Sequence, residues 1–306
     1  EKVLAIKKVR SLSGVAVVAV LTKPFPCPGK CVYCPTEKAM PKSYLSNEPA
    51  VMRAIGSDFQ AYEQVWNRLK MLQTNGHSTD KIELIVMGGT FSCLPRKYQT
   101  EFIQNCFRAA NDFPRKNPLT PTTLVKEQKR NETAQNRIIG LTLETRPDKI
   151  SSEEIRNFRR LGATRVEIGV QTIFDLILRK NKRGHGIKSV ITATRRLKEA
   201  GFKVGYHLMP GLWGSCPKKD LEIFEKIFSQ PDFQPDLIKI YPCVVTAGSE
   251  LEKKWRRGQY HPYSNPKIKQ LLIKIKRLIP PYVRISRLIR DIPEESILAG
   301  PNISNL

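Results

Sequence analysis

The sequence lacks the features that mark membrane-spanning proteins and disulfide-stabilised secreted proteins. No apolar run approaches the roughly 20 residues that a transmembrane helix requires. No signal peptide is visible, and the seven cysteines are an odd number that cannot all be paired. These absences predict a soluble protein of a reducing compartment, and we expect it in the cytoplasm with no membrane partner.

Acidic residues are also scarce. The chain has 28 aspartates and glutamates against 52 lysines and arginines, which gives a formal net charge of +24. Such an excess predicts a polyanionic partner, because each phosphate that a protein neutralises releases counterions. Nucleic acid is the leading candidate. The alternative is a merely solvated basic surface, since total charge does not show how the cations cluster.

Three of the cysteines are close together in the sequence. Cys27, Cys31 and Cys34 follow an apolar stretch at residues 15–21 that is typical of a strand. Iron–sulfur clusters are held by cysteine thiolates, usually four of them. A group of three therefore predicts a [4Fe–4S] cluster with one iron open to a non-protein ligand, and that iron would be the reactive position.

Two other interpretations of these cysteines are weaker. A structural zinc site normally closes with four ligands, and the sequence has no second pair with zinc-knuckle spacing. A thioredoxin-like redox pair would leave Cys27 unexplained. Single cysteines are usually small buried hydrophobic residues, and we expect this of the remaining four. They are Cys93, Cys106, Cys216 and Cys243.

Strand patterns and helix patterns alternate along the 306 residues. This order predicts an α/β fold, an open (β/α)6 barrel with its active site at the C-terminal ends of parallel strands. The predicted strands are 15–21, 82–87, 138–143, 165–170, 203–208 and 237–241, and the predicted helices are 49–74, 96–111, 152–161, 187–200 and 218–228. We place a lead-in at residues 1–12, the barrel at 13–245 and a C-terminal extension at 246–306. Residues 115–137 are predicted to be an exposed basic insertion.

Polar residues lie within or just after four consecutive predicted strands, where a barrel would have its site. Paired glycines allow a ligand to approach the backbone closely, although a tight turn is the alternative for Gly88 and Gly89. Surface ion pairs or polar core residues are the alternatives for the others. Together these groups are suited to bind an amino acid and a ribose beside the cluster. They are Gly88, Gly89, Thr90, Glu144, Arg146, Glu167, Gln171, His207 and Met209.

The spacing Cys27-x3-Cys31-x2-Cys34 is the signature of radical S-adenosylmethionine (SAM) enzymes. Its surroundings resemble the catalytic subunit of Elongator and the archaeal and bacterial relatives of that subunit. The matching stretches are 13–24, 48–55, 86–91, 143–148, 167–171, 201–204 and 290–293. They lie outside the cysteine motif and cover nearly the whole chain, so the resemblance is specific to this subfamily. The fold that it implies is the partial TIM barrel of radical SAM enzymes.

The resemblance implies an enzyme that modifies wobble uridine 34 of tRNA with a carboxymethyl-type group at carbon 5. In that family the cluster reductively cleaves S-adenosylmethionine, and the 5′-deoxyadenosyl radical acts on the acetyl group of the co-substrate acetyl-CoA. The cofactor performs the difficult bond cleavage, while the protein supplies orientation and excludes water. The implied partner is the anticodon stem-loop of tRNA, and the assembly is left open between accessory Elongator-type subunits and a homodimer.

The resemblance also implies roles for individual residues. Cys27, Cys31 and Cys34 would ligate the cluster, and S-adenosylmethionine would chelate the fourth iron. Gly88 and Gly89 would lie against the methionyl part of this cofactor. Further contacts to the cofactor or the nucleoside would come from Tyr33, Thr90, Glu144, Arg146, Gln171, His207 and Met209.

Lys81 matches the lysine that the family assigns to acetyl-CoA, and it is predicted to be catalytic. The alternative is a solvated lysine ahead of a strand. An unstacked base is recognised by stacking and edge hydrogen bonds, so the barrel mouth must admit a splayed uridine. The implied anticodon-loop contacts are Lys23, Arg53, Arg146, Arg183 and Lys239.

The sequence also departs from the family. Members usually continue into an acetyltransferase-like domain, whereas this chain stops at Leu306 and has no glycine-rich acyl-CoA loop after Gly248. It begins at Glu1 without a methionine. We expect a fragment, a separately encoded half or a shortened form, one that cleaves S-adenosylmethionine but does not carboxymethylate tRNA unaided.

Other functions remain open at this point. One is a radical SAM enzyme with another substrate, such as a porphyrinogen or a methylthiolated tRNA base. A methylthiotransferase would need a second cysteine cluster, and three close cysteines do not recur in this sequence. The other is a non-catalytic RNA-binding module with a structural metal, which predicts a closed zinc site. A lysine acetyltransferase would require the domain that the chain lacks.

Overall fold

The computed structural model describes residues 12–115 and 117–303. Except for Leu12, the predicted lead-in lies outside the described residues. The main sheet has seven parallel strands, and the order of its strands follows their order in the chain. They are β1 (Ala16–Leu21), β2 (Lys81–Met87), β3 (Arg137–Thr145), β4 (Arg165–Gln171), β5 (Lys203–Leu208), β6 (Leu237–Ile240) and β8 (Arg284–Leu288). A small antiparallel pair is formed by β7 (Val245–Thr246) and β9 (Ile297–Ala299).

Helices connect the strands of the main sheet. The parallel order requires such crossovers, because a short hairpin cannot join parallel neighbours. They are α1 (Pro49–Ile55), α2 (Ala61–Thr74), α3 (Arg96–Asp112), α4 (Leu124–Asn131), α5 (Ser152–Arg160), α6 (Asp175–Lys180), α7 (Ile187–Glu199), α8 (Pro217–Ser229), α9 (Glu250–Arg256) and α10 (Asn265–Leu278). None of the described helices is long and apolar enough to cross a bilayer.

Each strand divides its side chains between two environments. In β2, Ile82, Leu84 and Val86 are buried in the core between sheet and helices, whereas Glu83 and Ile85 line a central cavity. This separation follows from the two-residue period of a strand. The sheet curls into a barrel. This barrel is open, because its first and last strands, β1 and β8, do not pair with each other. The α/β partial barrel predicted from the sequence is confirmed.

The structure has one barrel strand more than the sequence predicts. The strand β8 pairs with β6 in parallel, with Ile238 opposite Ile285 and Ile240 opposite Leu288. It lies within the region assigned to the C-terminal extension. Its sequence, Arg-Ile-Ser-Arg-Leu, is largely polar because it lies at the edge of the sheet, where several of its side chains are exposed.

Two predicted segments differ from the structure. The single helix predicted at 49–74 is two helices, because Asp58 and Phe59 take φ angles of +45° and +53° between α1 and α2. The prediction of an exposed insertion at 115–137 is wrong in part, since this segment contains the packed helix α4. Glu127 and Asn131 of α4 are buried through hydrogen bonds to Thr122, Asn111 and Asn136, which leaves no apolar stripe to detect.

Candidate cofactor site

The three clustered cysteines lie in the loop that leaves the C-terminal end of β1. This loop is fixed by backbone hydrogen bonds to two segments that lie much later in the chain. Val32 N donates to Asn181 O after α6 at 3.2 Å, and Leu251 N of α9 donates to Val32 O at 2.7 Å. The side chains of Val32 and Tyr33 are buried. The apolar residues of the loop therefore anchor it, and its cysteines face the barrel interior.

A second anchor of the cysteine loop comes from Arg290, near the C-terminal end. Its guanidinium contacts Glu48 at 2.6 Å and donates to Ser43 Oγ at 3.0 Å. It also lies over the ring of Tyr44, 4.9 Å from the centroid. The segment between the cysteines and α1 is thus fixed by a residue that follows β8. Sequence reasoning did not find this contact, because nothing in the pattern relates residues so far apart.

The central cavity of the barrel has a volume of about 1220 Å³. All three cysteines line it. Parallel strands end at the same side of a sheet, so the predicted polar residues after the strands meet the cysteines there. The other predicted residues that line the cavity are Tyr33, Gly89, Thr90, Glu144, Arg146, Glu167, Gln171, His207 and Met209.

The sulfur of Cys31 is strongly polarised. Arg183 Nη1 lies 3.4 Å from Cys31 Sγ, and Arg146 Nη1 lies 4.0 Å from it. A hydrogen bond from Cys34, assisted by the charge of Arg183, lowers the pKa of Cys31 to about 4. The pKa of Cys34 is raised, because it shares its proton with Cys31 and is buried. The surroundings of Cys31 therefore favour its thiolate form, which is the form that binds metals.

The position of Cys27 is set from the other side of the loop. Its sulfur accepts a hydrogen bond from Gly29 N at 3.4 Å and lies 3.9 Å from Thr90 Oγ1. A Cβ atom at position 29 would collide with Arg146 Nη1. The glycine between the first two cysteines thus permits the close approach of the Arg146 guanidinium.

The site fits an anionic metal cluster better than zinc. Arg183 is buried, its Nε has no hydrogen-bond partner, and no carboxylate pairs with it in residues 12–115 and 117–303. A buried cation is costly without an anion, and a thiolate-ligated cluster would supply one. Tetrahedral zinc would hold its sulfurs about 3.8 Å apart, given Zn–S bonds of about 2.3 Å. Among the described residues the three cysteines do not form a set with all sulfurs within 4.8 Å of one another.

The two glycines after β2 have different surroundings. Gly88 has φ +128°, and a Cβ atom there would collide with Thr22 Oγ1 at the end of β1. Gly88 therefore allows the ends of β1 and β2 to approach closely, and its contact with the cofactor remains a prediction. Gly89, with φ +104°, lines the cavity and has open space on its Cβ side, where only Lys42 O lies within 4 Å.

Gln171 is the most strained of the predicted contacts. Its φ is +68°, in the left-handed region, where strain is found at functional sites. The strain coincides with a register shift between β4 and β5 and with a hydrogen bond from Met209 N to Gln171 O at 2.9 Å. The side-chain oxygen of Gln171 is buried and has no hydrogen-bond partner among the described residues. Gln171 thus lines the cavity with an unused acceptor in its side chain.

A cluster of titratable side chains crosses the barrel interior below the cysteines, and we call it the barrel ion cluster: Glu144, Glu167, His207 and Lys239. Lys239 Nζ lies 3.1 Å from Glu144 Oε1 and contacts Glu167, and His207 Nε2 lies 2.9 Å from Glu167 Oε2. Tyr44 OH donates to Glu144 Oε2 at 2.9 Å. Sequence reasoning named the first three residues as site residues, but it placed Lys239 at an RNA surface and missed Tyr44.

Charge pairing determines the protonation of the barrel ion cluster. Burial alone would raise the pKa of Glu167, but Lys239 and His207 outweigh it and hold that pKa below its usual range. Burial alone would lower the pKa of Lys239, but Glu144 and Glu167 raise it above its usual range. The donor atoms of Glu144, Glu167 and His207 lie within 4.8 Å of one another, as for a metal. The Lys239 ammonium already supplies the cation between the two carboxylates.

Lys81 is not brought to this site. It is exposed at the N-terminal end of β2, whereas the cysteines lie at the C-terminal ends of the strands. Seven strand residues at about 3.3 Å each separate the two ends by roughly 20 Å. Its assignment to acetyl-CoA remains a prediction that nothing at the cysteine end supports.

The predicted anticodon-loop contacts divide into two groups. Arg146, Arg183 and Lys239 are buried and have internal partners, so the prediction that they contact the anticodon loop at the surface is corrected. They would meet only a base inserted into the cavity. Lys23 is exposed, and Arg53 is half-buried on α1 with a hydrogen bond from its Nη1 to Pro49 O.

The four single cysteines fall into a buried pair and an exposed pair. Cys106 and Cys243 are buried, as predicted, and burial raises the pKa of Cys243 to about 12. Cys93 and Cys216 are exposed, so the prediction is wrong for them. Both lie at the boundaries of helices, Cys93 just ahead of α3 and Cys216 at the N-cap of α8, where side chains are not enclosed.

Comparison with known proteins agrees with this geometry. The model of the radical SAM superfamily matches residues 26–224, and the model of the radical SAM C-terminal domain matches residues 235–306. The second match includes β6 and β8, so the two matches together cover every strand of the main sheet except β1.

Named relatives are similar over nearly the whole chain. A tRNA uridine(34) acetyltransferase of Dehalococcoides mccartyi is 49% identical over 95% of this chain and 62% of its own length. Elongator complex protein 3 of Bos taurus is 38% identical over 99% of this chain and 56% of its own length. A solved structure of the archaeal Methanocaldococcus infernus Elp3 with an N-terminal deletion superposes with a TM-score of 0.81 at 42% identity, covering 95% of this chain and 60% of that one.

The chain thus spans about three fifths of the length of these relatives. The first family model covers well over half of the chain and includes all three clustered cysteines. The cavity, the thiolate and the open barrel are the features expected of that family. The chain belongs to the radical SAM superfamily.

Proposed function

We propose that this chain is the radical SAM part of an enzyme that modifies wobble uridine 34 of tRNA in the cytoplasm. The observation that carries the proposal is the set of three cysteines on an open cavity, beside a buried guanidinium that no carboxylate of the described residues pairs with. The relatives named for tRNA uridine(34) acetylation support the choice of substrate. The group transferred would be a carboxymethyl-type group derived from acetyl-CoA.

The cysteines Cys27, Cys31 and Cys34 would hold a [4Fe–4S] cluster, and S-adenosylmethionine would complete it. When bound, this pair supplies a carbon-centred radical by reductive cleavage of the sulfonium. The protein's own task is to hold the reactants and to exclude water. Tyr33 and Val32 close the loop side of the site with buried side chains, and Gln171 and His207 face the cavity from the strands.

The volume of the cavity bears on how many ligands it would hold. Sites for single small ligands usually measure about 300 to 1,000 Å³, and this cavity measures about 1220 Å³. The cavity also reaches Ala16 and Arg165 at the opposite ends of the strands, so only part of this volume lies beside the cysteines. That part would take the nucleoside cofactor and one extruded base. A base inside a folded anticodon loop would have to leave its stack to reach the cysteines, as other base-modifying enzymes require.

The charge of the chain supports an RNA substrate. A net charge of +24 would attract tRNA by releasing counterions from its phosphates. Three parts of the proposal rest on the family resemblance of the sequence alone. They are the use of acetyl-CoA, the role of Lys81 in binding it, and the assembly with accessory subunits or as a homodimer. The isolated chain is proposed to cleave S-adenosylmethionine without completing the tRNA modification.

An anaerobic reconstitution tests the proposal. The chain is loaded with iron and sulfide, reduced in the presence of S-adenosylmethionine, and analysed for iron, sulfide and 5′-deoxyadenosine. Cys34→Ala should abolish 5′-deoxyadenosine formation, whereas Cys93→Ala, at an exposed cysteine, should leave it unchanged. Stoichiometric zinc without sulfide, or equal loss in both variants, would contradict the proposal.

A second measurement addresses the substrate. Anticodon stem-loops with uridine, cytidine or adenosine at the wobble position are added to the reduced protein. Uridine-dependent stimulation of S-adenosylmethionine cleavage is expected, because a base in the cavity would occupy the space beside the cofactor. Identical cleavage with all three RNAs, and without RNA, would leave the radical SAM assignment intact but refute the choice of substrate.

A further inference from the structure

We propose that Arg183 sets the reduction potential of the cluster by holding against Cys31 a positive charge that no carboxylate of the described residues cancels. The inference rests on the proposed cluster but not on the identity of the RNA. It gives Arg183 a role as a positioning residue that acts through a sulfur ligand. This role replaces its predicted contact with an anticodon loop.

The backbone of Arg183 and its guanidinium are both held by hydrogen bonds. Arg183 follows α6, and its backbone N donates to Leu178 O at 2.9 Å. Its Nη2 donates to Gly169 O at 2.5 Å, and its Nη1 lies 3.4 Å from Cys31 Sγ. A Cβ atom at position 169 would collide with Nη2, so the glycine in β4 leaves the space that the guanidinium occupies. The charge is therefore fixed in place and does not sample solvent.

The second guanidinium at this sulfur differs in its charge balance. Arg146 forms an ion pair with Asp148, with Nε 2.9 Å from Oδ1, and donates to Arg183 O at 2.6 Å. Its charge is largely cancelled by that carboxylate. Arg183 has no such partner within the described ranges 12–115 and 117–303, so the net charge beside Cys31 comes from Arg183.

The direction of the effect follows from electrostatics. Reduction adds one electron to the cluster and makes it more negative. A fixed positive charge stabilises the reduced form more than the oxidised form, and burial limits the screening of that interaction by water. Hydrogen bonds to cysteine sulfurs act in the same direction. Arg183 therefore makes the cluster easier to reduce by an external electron donor, and correspondingly a weaker reductant once it is reduced.

A redox titration followed by electron paramagnetic resonance on the reconstituted chain tests this role. Arg183→Gln should move the midpoint potential to a more negative value, and Arg183→Lys should restore most of the shift. The matched control is Lys182→Gln, which removes the same charge one residue away. The Lys182 side chain is 53% exposed and paired with Glu250, so solvent screens it and no shift is expected. Equal potentials for Arg183→Gln and wild type, at equal iron and sulfide content, would overturn the inference.

A second variant keeps the test decisive if Arg183→Gln does not load iron. Asp148→Asn removes the negative charge that cancels Arg146, and it touches none of the three cysteines. It should shift the midpoint potential upward, opposite to Arg183→Gln. An unchanged or lower potential in Asp148→Asn would refute the electrostatic role. A wild-type chain without any cluster would instead refute the proposed function, so the two failures are distinguishable.

Discussion

Glu167→Gln should be the most destabilising isosteric change in the barrel interior. Glu167 is buried, with 2% of its surface exposed, and its carboxylate holds both Lys239 and His207. The amide would leave the Lys239 ammonium with Glu144 as its single counter-ion. Breaking a buried ion pair costs about 3 to 5 kcal/mol. Because Glu144 remains, we expect about 3 kcal/mol for this substitution.

The pH dependence of the loss has a definite sign. The pKa of Glu167 is depressed in the fold, so its contribution is complete above its ordinary value of 4.5 and is lost as the pH falls through the folded pKa. The pKa of Lys239 is raised, so its contribution is complete below 10.5 and is lost only as the pH rises beyond it. The difference between wild type and Glu167→Gln should therefore be constant through neutral pH and shrink in acid.

Equilibrium urea unfolding of the reduced apoprotein provides the measurement. With a slope of about 3 kcal/mol per molar urea, the midpoint should fall by about 1 M. Glu132→Gln is the control, because Glu132 pairs with Lys129 on the surface, where an ion pair contributes less than about 1 kcal/mol. A change below about 1 kcal/mol for Glu167→Gln would show that the barrel ion cluster is not energetically coupled as described.

Three further outcomes are expected. Gly88→Ala should lower the free energy of unfolding by about 1 to 3 kcal/mol, because its φ of +128° and the contact with Thr22 both oppose a Cβ atom. Gly14→Ala, with open space at φ +70°, should lose only the contribution of backbone strain. An equal loss in both variants would show that the contact with Thr22 does not matter. Removing iron anaerobically with a chelator should lower the melting temperature, because the cluster binds the folded state alone and Arg183 loses its anionic neighbour; an unchanged melting temperature would contradict this. The affinity for tRNA should fall steeply between 50 and 200 mM salt by about 10³-fold if six or more phosphates are contacted, and a flat response would exclude them.

The sequence was sufficient to predict the open barrel, for a physical reason. Strands that pack one face against helices must be apolar on that face, and crossover helices must follow them. The alternation of strand and helix patterns is therefore visible in the sequence. The strands predicted at 165–170 and 203–208 correspond closely to β4 and β5. The strand β8 escaped prediction because one of its edges and much of its surface face solvent, which removes the apolar signal.

The candidate site was predictable only in part, because its polar groups meet through tertiary contacts. The cysteine motif and the strand ends placed Cys27, Glu144 and Gln171 at one end of the barrel. Whether a lysine is an RNA contact or an internal counter-ion depends on which side of its strand faces inward. That register placed Lys239 between two carboxylates, and no local pattern distinguishes the two cases.

The anchors of the cysteine loop have a consequence for biosynthesis. The loop is held by Leu251 and by Arg290, which emerge from a ribosome more than two hundred residues after Cys34. Until those residues are available, the loop has only its hydrogen bond to Asn181 among these backbone and guanidinium anchors. Iron delivery is therefore expected to follow translation of almost the entire barrel, and a nascent chain stalled before residue 290 is expected to mature poorly.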